Sequence, residues 1–260
     1  MNIYTDIESM PFIEQAVVTL GTFDGVHTAH RAILEEVCAS ATEMDGQSVV
    51  ISFISHPRRV LEPDFSLNIL TTTKEKNILL QQIGINNIIY IDFTSSLAQT
   101  NYVEFIRLLI EKIDIKKIVV GYNHNFGKNK EGNINTLTEL IPIYDFDVVE
   151  IPRQTNNKIK ISSSYIRKII NTGDFTLANS LLGYNYTIDM MISSVNNEKI
   201  ILTPSIKEKI LPPKGKYDVS INDETTLLEV DNEIYIQKKN ISFIDKKEKE
   251  ITIEFLNQQN

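Results

Sequence analysis

The sequence predicts an α/β domain built on a parallel sheet, followed by a small antiparallel β-barrel or sandwich. Up to about residue 184, short runs rich in Val and Ile alternate with helical patterns. Beyond Gly183 the helical periodicity stops and strand-like stretches follow one another. The composition is that of a folded globular chain: 42% of the 260 residues are hydrophobic, and 34 acidic against 26 basic side chains leave a formal net charge of −8.

Taken in order, Val17–Leu20, Ser48–Phe53, Asn87–Ile91, Lys117–Val120 and Asp147–Ile151 read as short buried strands. Between them His30–Ala41, Lys74–Ile83, Tyr102–Ile113 and about Thr136–Ile141 read as helices. Repeated strand, helix, strand units imply a parallel sheet with right-handed crossovers, and a ligand site beyond the carboxyl ends of the strands. Past Gly183, Tyr186–Ser193, Lys199–Leu202, Lys216–Ile221, Glu233–Gln237 and Glu250–Phe255 read as strands. The expected domains are therefore 1–184 and 185–260, without a charged tail, a low-complexity linker or a repeat of fixed period.

Apolar runs such as Ile83–Ile91 stop well short of the roughly 18 residues that a membrane-spanning helix needs. Met1–Phe12 carries Asp6 and Glu8 and shows no secretory pattern, so the cytoplasm is the expected compartment, with no membrane partner. Cys38 is the single cysteine, which excludes an internal disulfide and a thiolate zinc site and leaves oxygen ligands for any metal. The acidic balance argues against nucleic-acid binding. Basic residues still form short groups: Arg58 with Arg59, Lys128 with Lys130, Arg153 with Lys158 and Lys160, and Arg167 with Lys168. Several loops can thus converge on a small anion.

The first strand runs into Gly21-Thr22-Phe23-Asp24-Gly25-Val26-His27-Thr28-Ala29-His30, and a helix follows at once. Glycines let the backbone approach a ligand closely, and a helix N-terminus presents N–H groups to phosphate. His27 and His30, three apart, fall on one face and can donate to one phosphoryl group. His-x-x-His alone also suits an ordinary helix start, and zinc is a weaker reading because no third ligand is in range. Strand, glycines, histidines and helix in this order favour phosphate chemistry. Later, Ser162, Ser163 and Ser164 precede a helical pattern running to Thr172, where they can cap the helix and face an anion. Arg167 lies one turn on, placed to grip phosphate oxygens. Phe53, Phe126 and Tyr165 suit an aromatic core as well as a flavin contact.

The first segment resembles the Gly-x-Phe-Asp-Gly-Val-His-x-Gly-His signature of prokaryotic FAD synthetases, the two-domain riboflavin kinase/FMN adenylyltransferases of the HxGH nucleotidyltransferase superfamily. Ser52-Phe53-Ile54-Ser55-His56-Pro57-Arg58-Arg59-Val60-Leu61 resembles a second family block, and Val119-Val120-Gly121-Tyr122-Asn123-His124-Asn125-Phe126-Gly127 a third. Lys130-Glu131-Gly132-Asn133 matches the segment after it, and Ile161 to Arg167, Gly173-Asp174-Phe175 and Leu181-Leu182-Gly183 resemble the last blocks. Five blocks in family order make the resemblance specific.

The resemblance implies a Rossmann-like nucleotidyltransferase domain that adenylylates FMN with ATP, giving FAD and pyrophosphate, with Mg2+ bridging phosphate oxygens. It implies catalytic roles for His27, His30, Asn123, Ser163, Ser164 and Arg167. Gly21, Phe23, Asp24, Gly25, His56, Pro57, Gly121, Phe126 and Ser162 would line the ATP and FMN sites. It identifies neither direct metal ligands nor an oligomeric state. A weak flavin- or adenine-nucleotide-binding paralogue and a nucleotidyltransferase with another acceptor are the alternatives.

Three residues depart from the pattern. Ala29 replaces the second Gly of HxGH, Ser164 replaces Thr, and His124 replaces Phe. A positive φ at position 29 would make the extra methyl costly, and a negative one would not. The second domain departs further. Where the family has a Gly-rich phosphate loop, Val195-Asn196-Asn197-Glu198-Lys199-Ile200-Ile201-Leu202-Thr203-Pro204-Ser205 contains no glycine. Leu211-Pro212-Pro213-Lys214-Gly215-Lys216-Tyr217 and the final strand still resemble the kinase barrel, so the expectation is a barrel that has lost riboflavin kinase activity.

Overall fold

A computed structural model describes residues 1–54, 56–62, 68–156, 159–196, 198–237 and 249–258. Ser55, Lys158 and Asn197, which the sequence analysis quoted, lie outside these residues, as does any description of the Arg59 side chain. The chain divides into two compact units, Met1–Leu67 with Thr73–Thr155, and Asn68–Thr72 with Asn156–Asn260.

The first unit contains β1 (Asn2–Tyr4), β2 (Ile13–Leu20), α1 (Thr28–Glu43), β3 (Gln47–Phe53), α2 (Pro57–Leu61), α3 (Thr73–Ile83), β4 (Asn87–Ile91), α4 (Ser95–Ala98), α5 (Tyr102–Ile110), β5 (Ile113–Gly121), α6 (Ile134–Tyr144) and β6 (Asp147–Ile151). Its six strands run in the order β1-β4-β3-β2-β5-β6, and every pair is parallel. Such a sheet must be covered on both faces, and the alternation of side chains along each strand does this. Val18, Ile51 and Ile118 pack with Phe105, Leu109 and Leu140 of α5 and α6. Val17, Val50 and Val119 pack with Leu34, Val37 and Leu80 of α1 and α3. Strand order reverses between β2 and β5, so the loops leaving these two strands flank the switch point where open α/β sheets bind ligands.

Two predicted boundaries are corrected. The helix expected over Tyr102–Ile113 ends at Ile110, and β5 begins at Ile113, because Ile113 pairs with Ile13 of β2. Ile106, Leu109, Ile110 and Ile113 keep helical spacing, so the pattern carries the helix on to Ile113, and the neighbouring strand decides otherwise. The short elements β1, α2 and α4 were not foreseen: three to five residues are too few to show a period.

The second unit contains the rest of the chain, beginning within a two-stranded ribbon of β7 (Thr155–Asn156) and β8 (Ile159–Lys160). Then come α7 (Ser163–Ile170), α8 (Phe175–Leu182) and the strands β9 (Tyr186–Val195), β10 (Lys199–Pro204), β11 (Gly215–Ile221), β12 (Glu224–Val230), β13 (Ile234–Gln237) and β14 (Glu250–Gln258). These six strands close into an antiparallel barrel in the order β10-β13-β12-β11-β14-β9. The unforeseen strand is β12. It returns from β11 through Asn222 (φ 51°) and Asp223 (φ 65°), a two-residue turn whose left-handed pair matches strand twist.

Helix α8, not foreseen as an element and lying inside the expected 1–184 domain, packs on the barrel. Phe175 stacks on Phe255 at 4.5 Å and meets Tyr217 edge-on at 5.4 Å, and all three are buried. Asn179 donates from Nδ2 to the Phe255 carbonyl and accepts from the Tyr186 N–H, both at 2.8 Å. Among the described residues no helix is long and apolar enough to cross a membrane.

Candidate active site

The loop from β2 to α1 is conformationally strained. Phe23 (φ 47°), Gly25 (φ 86°) and Val26 (φ 35°) all lie in the left-handed region. For a β-branched residue such as Val26 this is a costly outlier, of the kind that surrounding packing holds in place at functional sites. The packing is dense: Val26 is fully buried and Phe23 and Asp24 nearly so. The Val26 N–H donates to the Phe23 carbonyl at 3.1 Å, and the Gly21 N–H ties the loop to Ile51 at 3.0 Å.

This strained turn delivers His27 as the N-cap of α1. His27 Nδ1 accepts from the His30 N–H at 3.2 Å, and the two imidazoles stack with centroids 3.6 Å apart and planes 16° from parallel. An accepting Nδ1 places the proton of the neutral ring on Nε2, the donor form that phosphate recognition needs. Phe23 stands edge-on to His30 at 5.1 Å. Burial holds the His30 pKa well below its ordinary value, and His27 and Lys76 act in the same direction. His30 is therefore neutral near pH 7, and its buried Nδ1 has no hydrogen-bond partner. Ala29 sits inside α1, away from the positive-φ positions, so its methyl imposes no backbone strain.

Lys76 of α3 was not singled out from the sequence. It is 8% exposed, donates from Nζ to the Thr22 carbonyl at 2.7 Å and reaches Ser52 Oγ at 3.4 Å. Burial lowers its pKa to about 8, against the opposing pull of Asp24. The ammonium clamps the strained loop from below. Its signal was visible: Lys76 occupies the same helical stripe as Leu79, Leu80 and Ile83, where an apolar residue is expected.

On the other side of the switch point, β5 ends at Gly121. A Cβ there would come within 2.8 Å of Ile33 Cδ1, so this glycine admits α1. Asn123 (φ 63°) occupies the exposed tip of the following turn, with His124 N–H bonded to the Gly121 carbonyl at 2.9 Å. His124 stacks against Phe126 at 5.9 Å, its Nε2 is enclosed without a partner, and burial pushes its pKa down to about 4. Phe126 packs against the sheet core and lies 6.0 Å from Phe105. His56 caps α2, its Nδ1 accepting from the Arg58 N–H at 3.2 Å, with Pro57 at the first helical position.

The first unit thus gathers Gly21, Phe23, Asp24, Gly25, His27 and His30 in one loop and helix start, with Gly121 and Asn123 at the neighbouring strand end. In the second unit, Ser162 caps α7, its Oγ accepting from the Tyr165 N–H at 3.3 Å. Ser163 and Ser164 form the first turn, and Arg167 lies one turn further on with Nε bonded to the Asn68 carbonyl at 2.8 Å. No three His, Cys, Asp or Glu side chains converge on a metal site among the described residues.

A family model for FAD synthetase matches residues 9–165. The chain is 34% identical over 203 residues to the FAD synthetase of Listeria monocytogenes, covering 78% of this chain and 80% of that one. It is 31% identical over 222 residues to the bifunctional riboflavin kinase/FMN adenylyltransferase of the same organism, covering 81% and 70%. It spans just over half, 56%, of the bifunctional enzyme of Buchnera aphidicola from Schizaphis graminum, to which it is 35% identical. A crystal structure titled as a macrolide-efflux protein from Streptococcus pneumoniae superposes with a TM-score of 0.86 over 100% of this chain and 90% of that one. At 24% identity, that likeness is one of fold. A family match over residues 9–165, more than half of the chain and including the loop that presents His27 and His30, shows that the chain belongs to the FAD synthetase family.

Proposed function

We propose that this chain transfers the adenylyl group of ATP to the phosphate of FMN. A phosphate oxygen of FMN attacks the α-phosphorus in line, the bond to the bridging oxygen breaks, and pyrophosphate leaves as FAD forms. The observation that carries this reading is the stacked His27–His30 pair at the N-terminus of α1, beside the switch point. Two neutral imidazoles and a helix N-terminus offer N–H donors without counter-charges to displace, which suits a polyanion gaining charge at its leaving group.

In this reading His27 and His30 donate to the triphosphate, Asn123 attends the reacting groups, and Arg167 with Ser163 and Ser164 holds the β and γ phosphates. Ser162 serves by capping α7. Gly21, Phe23, Asp24 and Gly25 shape the loop, with Phe23 acting by holding the His30 ring, while His56, Pro57, Gly121 and Phe126 border the ATP and FMN sites. Asn123, at the exposed tip of the turn after β5, would stand near the phosphates and a hydrated Mg2+, which would supply neutralisation of the triphosphate charge. In this reading the transferase residues all lie within 1–184, although α7 and α8 pack with the barrel, and 185–260 is the kinase-like remainder. A reaction that consumes ATP fits the cytoplasmic location expected from the sequence.

We further propose that riboflavin kinase activity is absent. Where the family carries glycines, Val195 pairs with Ile200 in a tight hairpin, and Asn196 Oδ1 accepts from the N–H groups of Glu198 and Lys199 at 2.9 and 2.8 Å. The Asn196 amide oxygen thus serves the turn itself. Of the two features that favour the weak-paralogue alternative, the substitution at Ala29 no longer counts for it, because Ala29 is helical and unstrained, which leaves the altered barrel.

The test is chromatographic detection of FAD from FMN, ATP and Mg2+, alongside His30→Ala and a parallel reaction started from riboflavin. FAD from FMN alone, reduced 10²- to 10³-fold by the substitution, is the expected result. FAD or FMN formed from riboflavin overturns the loss of kinase activity, and no FAD from FMN overturns the transferase.

A further inference from the structure

Arg167 does not hang freely from α7. Its Nε donates to the main-chain carbonyl of Asn68 at 2.8 Å, so the direction of the guanidinium depends on where that carbonyl sits. Asn68 begins a five-residue strap, Asn68–Thr72, which precedes α3 in sequence but packs within the second unit. The strap contains Leu70, fully buried, and Thr71, 5% exposed.

The strap is held by the barrel's own chain. Ile69 forms a parallel bridge with Lys209: its N–H donates to the Glu208 carbonyl at 2.8 Å, and its carbonyl accepts from the Ile210 N–H at 3.1 Å. Lys209 is 3% exposed and donates from Nζ to the Leu70 carbonyl at 2.7 Å. The ammonium also lies 4.6 Å from the ring centroid of Tyr186, whose hydroxyl donates to the Ile210 carbonyl at 2.8 Å. A buried ammonium is expensive unless its surroundings are arranged for it. Here the Leu70 carbonyl and the Tyr186 ring face it, two residues along the strap from the carbonyl that holds Arg167.

We infer that Lys209 is a positioning residue for nucleotidyl transfer: by fixing the Asn68–Thr72 strap it fixes the Arg167 guanidinium, and this is what the barrel contributes to the reaction. The inference rests on the reading of Arg167 as a contact to the ATP phosphates. It accounts for a barrel that persists without its phosphate loop, because the segment between β10 and β11 supplies the clamp.

The experiment compares Lys209→Met, Lys209→Arg, Ile69→Pro, Arg167→Ala and the Lys209→Met/Arg167→Ala double variant in the full-length protein. FAD formation gives kcat and the KM values for ATP and FMN, and exchange of the Arg167 Nε–H with solvent is followed by NMR. Lys209→Met should accelerate that exchange, raise KM for ATP and lower kcat by ten- to a hundredfold, as small misplacements of a binding group do, while leaving KM for FMN unchanged. Lys209→Arg should restore much of the loss, and the double variant should be no worse than Arg167→Ala. Ile69→Pro deletes the N–H that bonds to Glu208 and gives the same pattern without touching Lys209, which covers a Lys209→Met protein that does not fold. Unchanged exchange and kinetics in both strap variants, or losses that multiply in the double variant, overturn the inference. Full activity of Arg167→Ala with accelerated exchange in Lys209→Met would instead overturn the role of Arg167 while leaving the strap as its anchor.

Discussion

Lys76 and His124 show how a single buried side chain sets local chemistry. Lys76→Met should leave the Thr22 carbonyl without its 2.7 Å donor and loosen the turn that presents His27. We expect kcat for FAD formation to fall ten- to a hundredfold. The melting temperature should change little, since removing a buried ammonium offsets the lost bond. Steady-state kinetics beside a thermal melt checks this, and an unchanged kcat would remove Lys76 from the machinery. His124 has its pKa depressed to about 4 by burial, from an ordinary value of 6.5. The unfolded chain then binds the proton first, so stability is complete above about 6.5 and declines as pH falls through that value towards 4, at about 1.4 kcal/mol per unit. His124→Phe, the residue carried by the family pattern, should flatten this limb in urea titrations at pH 7 and 5. Residues of this kind are only partly legible in sequence. His27 and His30 stand out by spacing, but their stacking and neutral state depend on Phe23, Val26 and Lys76 closing around them.

Among the elements, the turn after β5 combines a tip at Asn123 with a left-handed Gly127 (φ 70°). A Cβ on Gly127 would lie 3.1 Å from the Tyr102 amide nitrogen, backbone that cannot swing aside. Gly127→Ala should therefore destabilise the protein by roughly 1–3 kcal/mol and reduce FAD formation by disturbing Asn123. Urea unfolding and kinetics test the two effects, and a neutral result in both would show that the turn is compliant. Strands with short Val- and Ile-rich runs, such as Val49–Ile51 in β3 and Ile88–Ile91 in β4, were legible because burial on both faces leaves an apolar run. Helix α8 was missed as an element although its ends are marked, Asp174 capping Leu177 N–H at 2.9 Å and Gly183 closing it at φ 80°. The end of α5 was not legible, because Ile113 keeps the helical spacing of Ile106, Leu109 and Ile110 and only its pairing with β2 makes it a strand residue.

For the whole molecule, a fragment ending at residue 184 should not be an independent enzyme. Phe175 would lose Tyr186, Tyr217 and Phe255, and the strap would lose Glu208–Ile210. We expect the fragment to be proteolysed within α7 and α8 and to form no FAD. A protease-resistant, active fragment would show that the barrel is dispensable. The sequence alone determined the parallel-sheet domain, the barrel and the family, because periodicity, turn residues and phosphate-binding motifs are local patterns written in neighbouring residues. The tertiary structure decided which side of residue 184 the helices α7 and α8 pack on, that Lys76 supports the histidine loop, and that Lys209 reaches Arg167 through Asn68–Thr72. The bonds of Lys76 to Thr22, Arg167 to Asn68 and Lys209 to Leu70 join residues 54, 99 and 139 positions apart, whose partners are chosen by burial and by the need to satisfy polar groups once buried, and no local pattern carries that information.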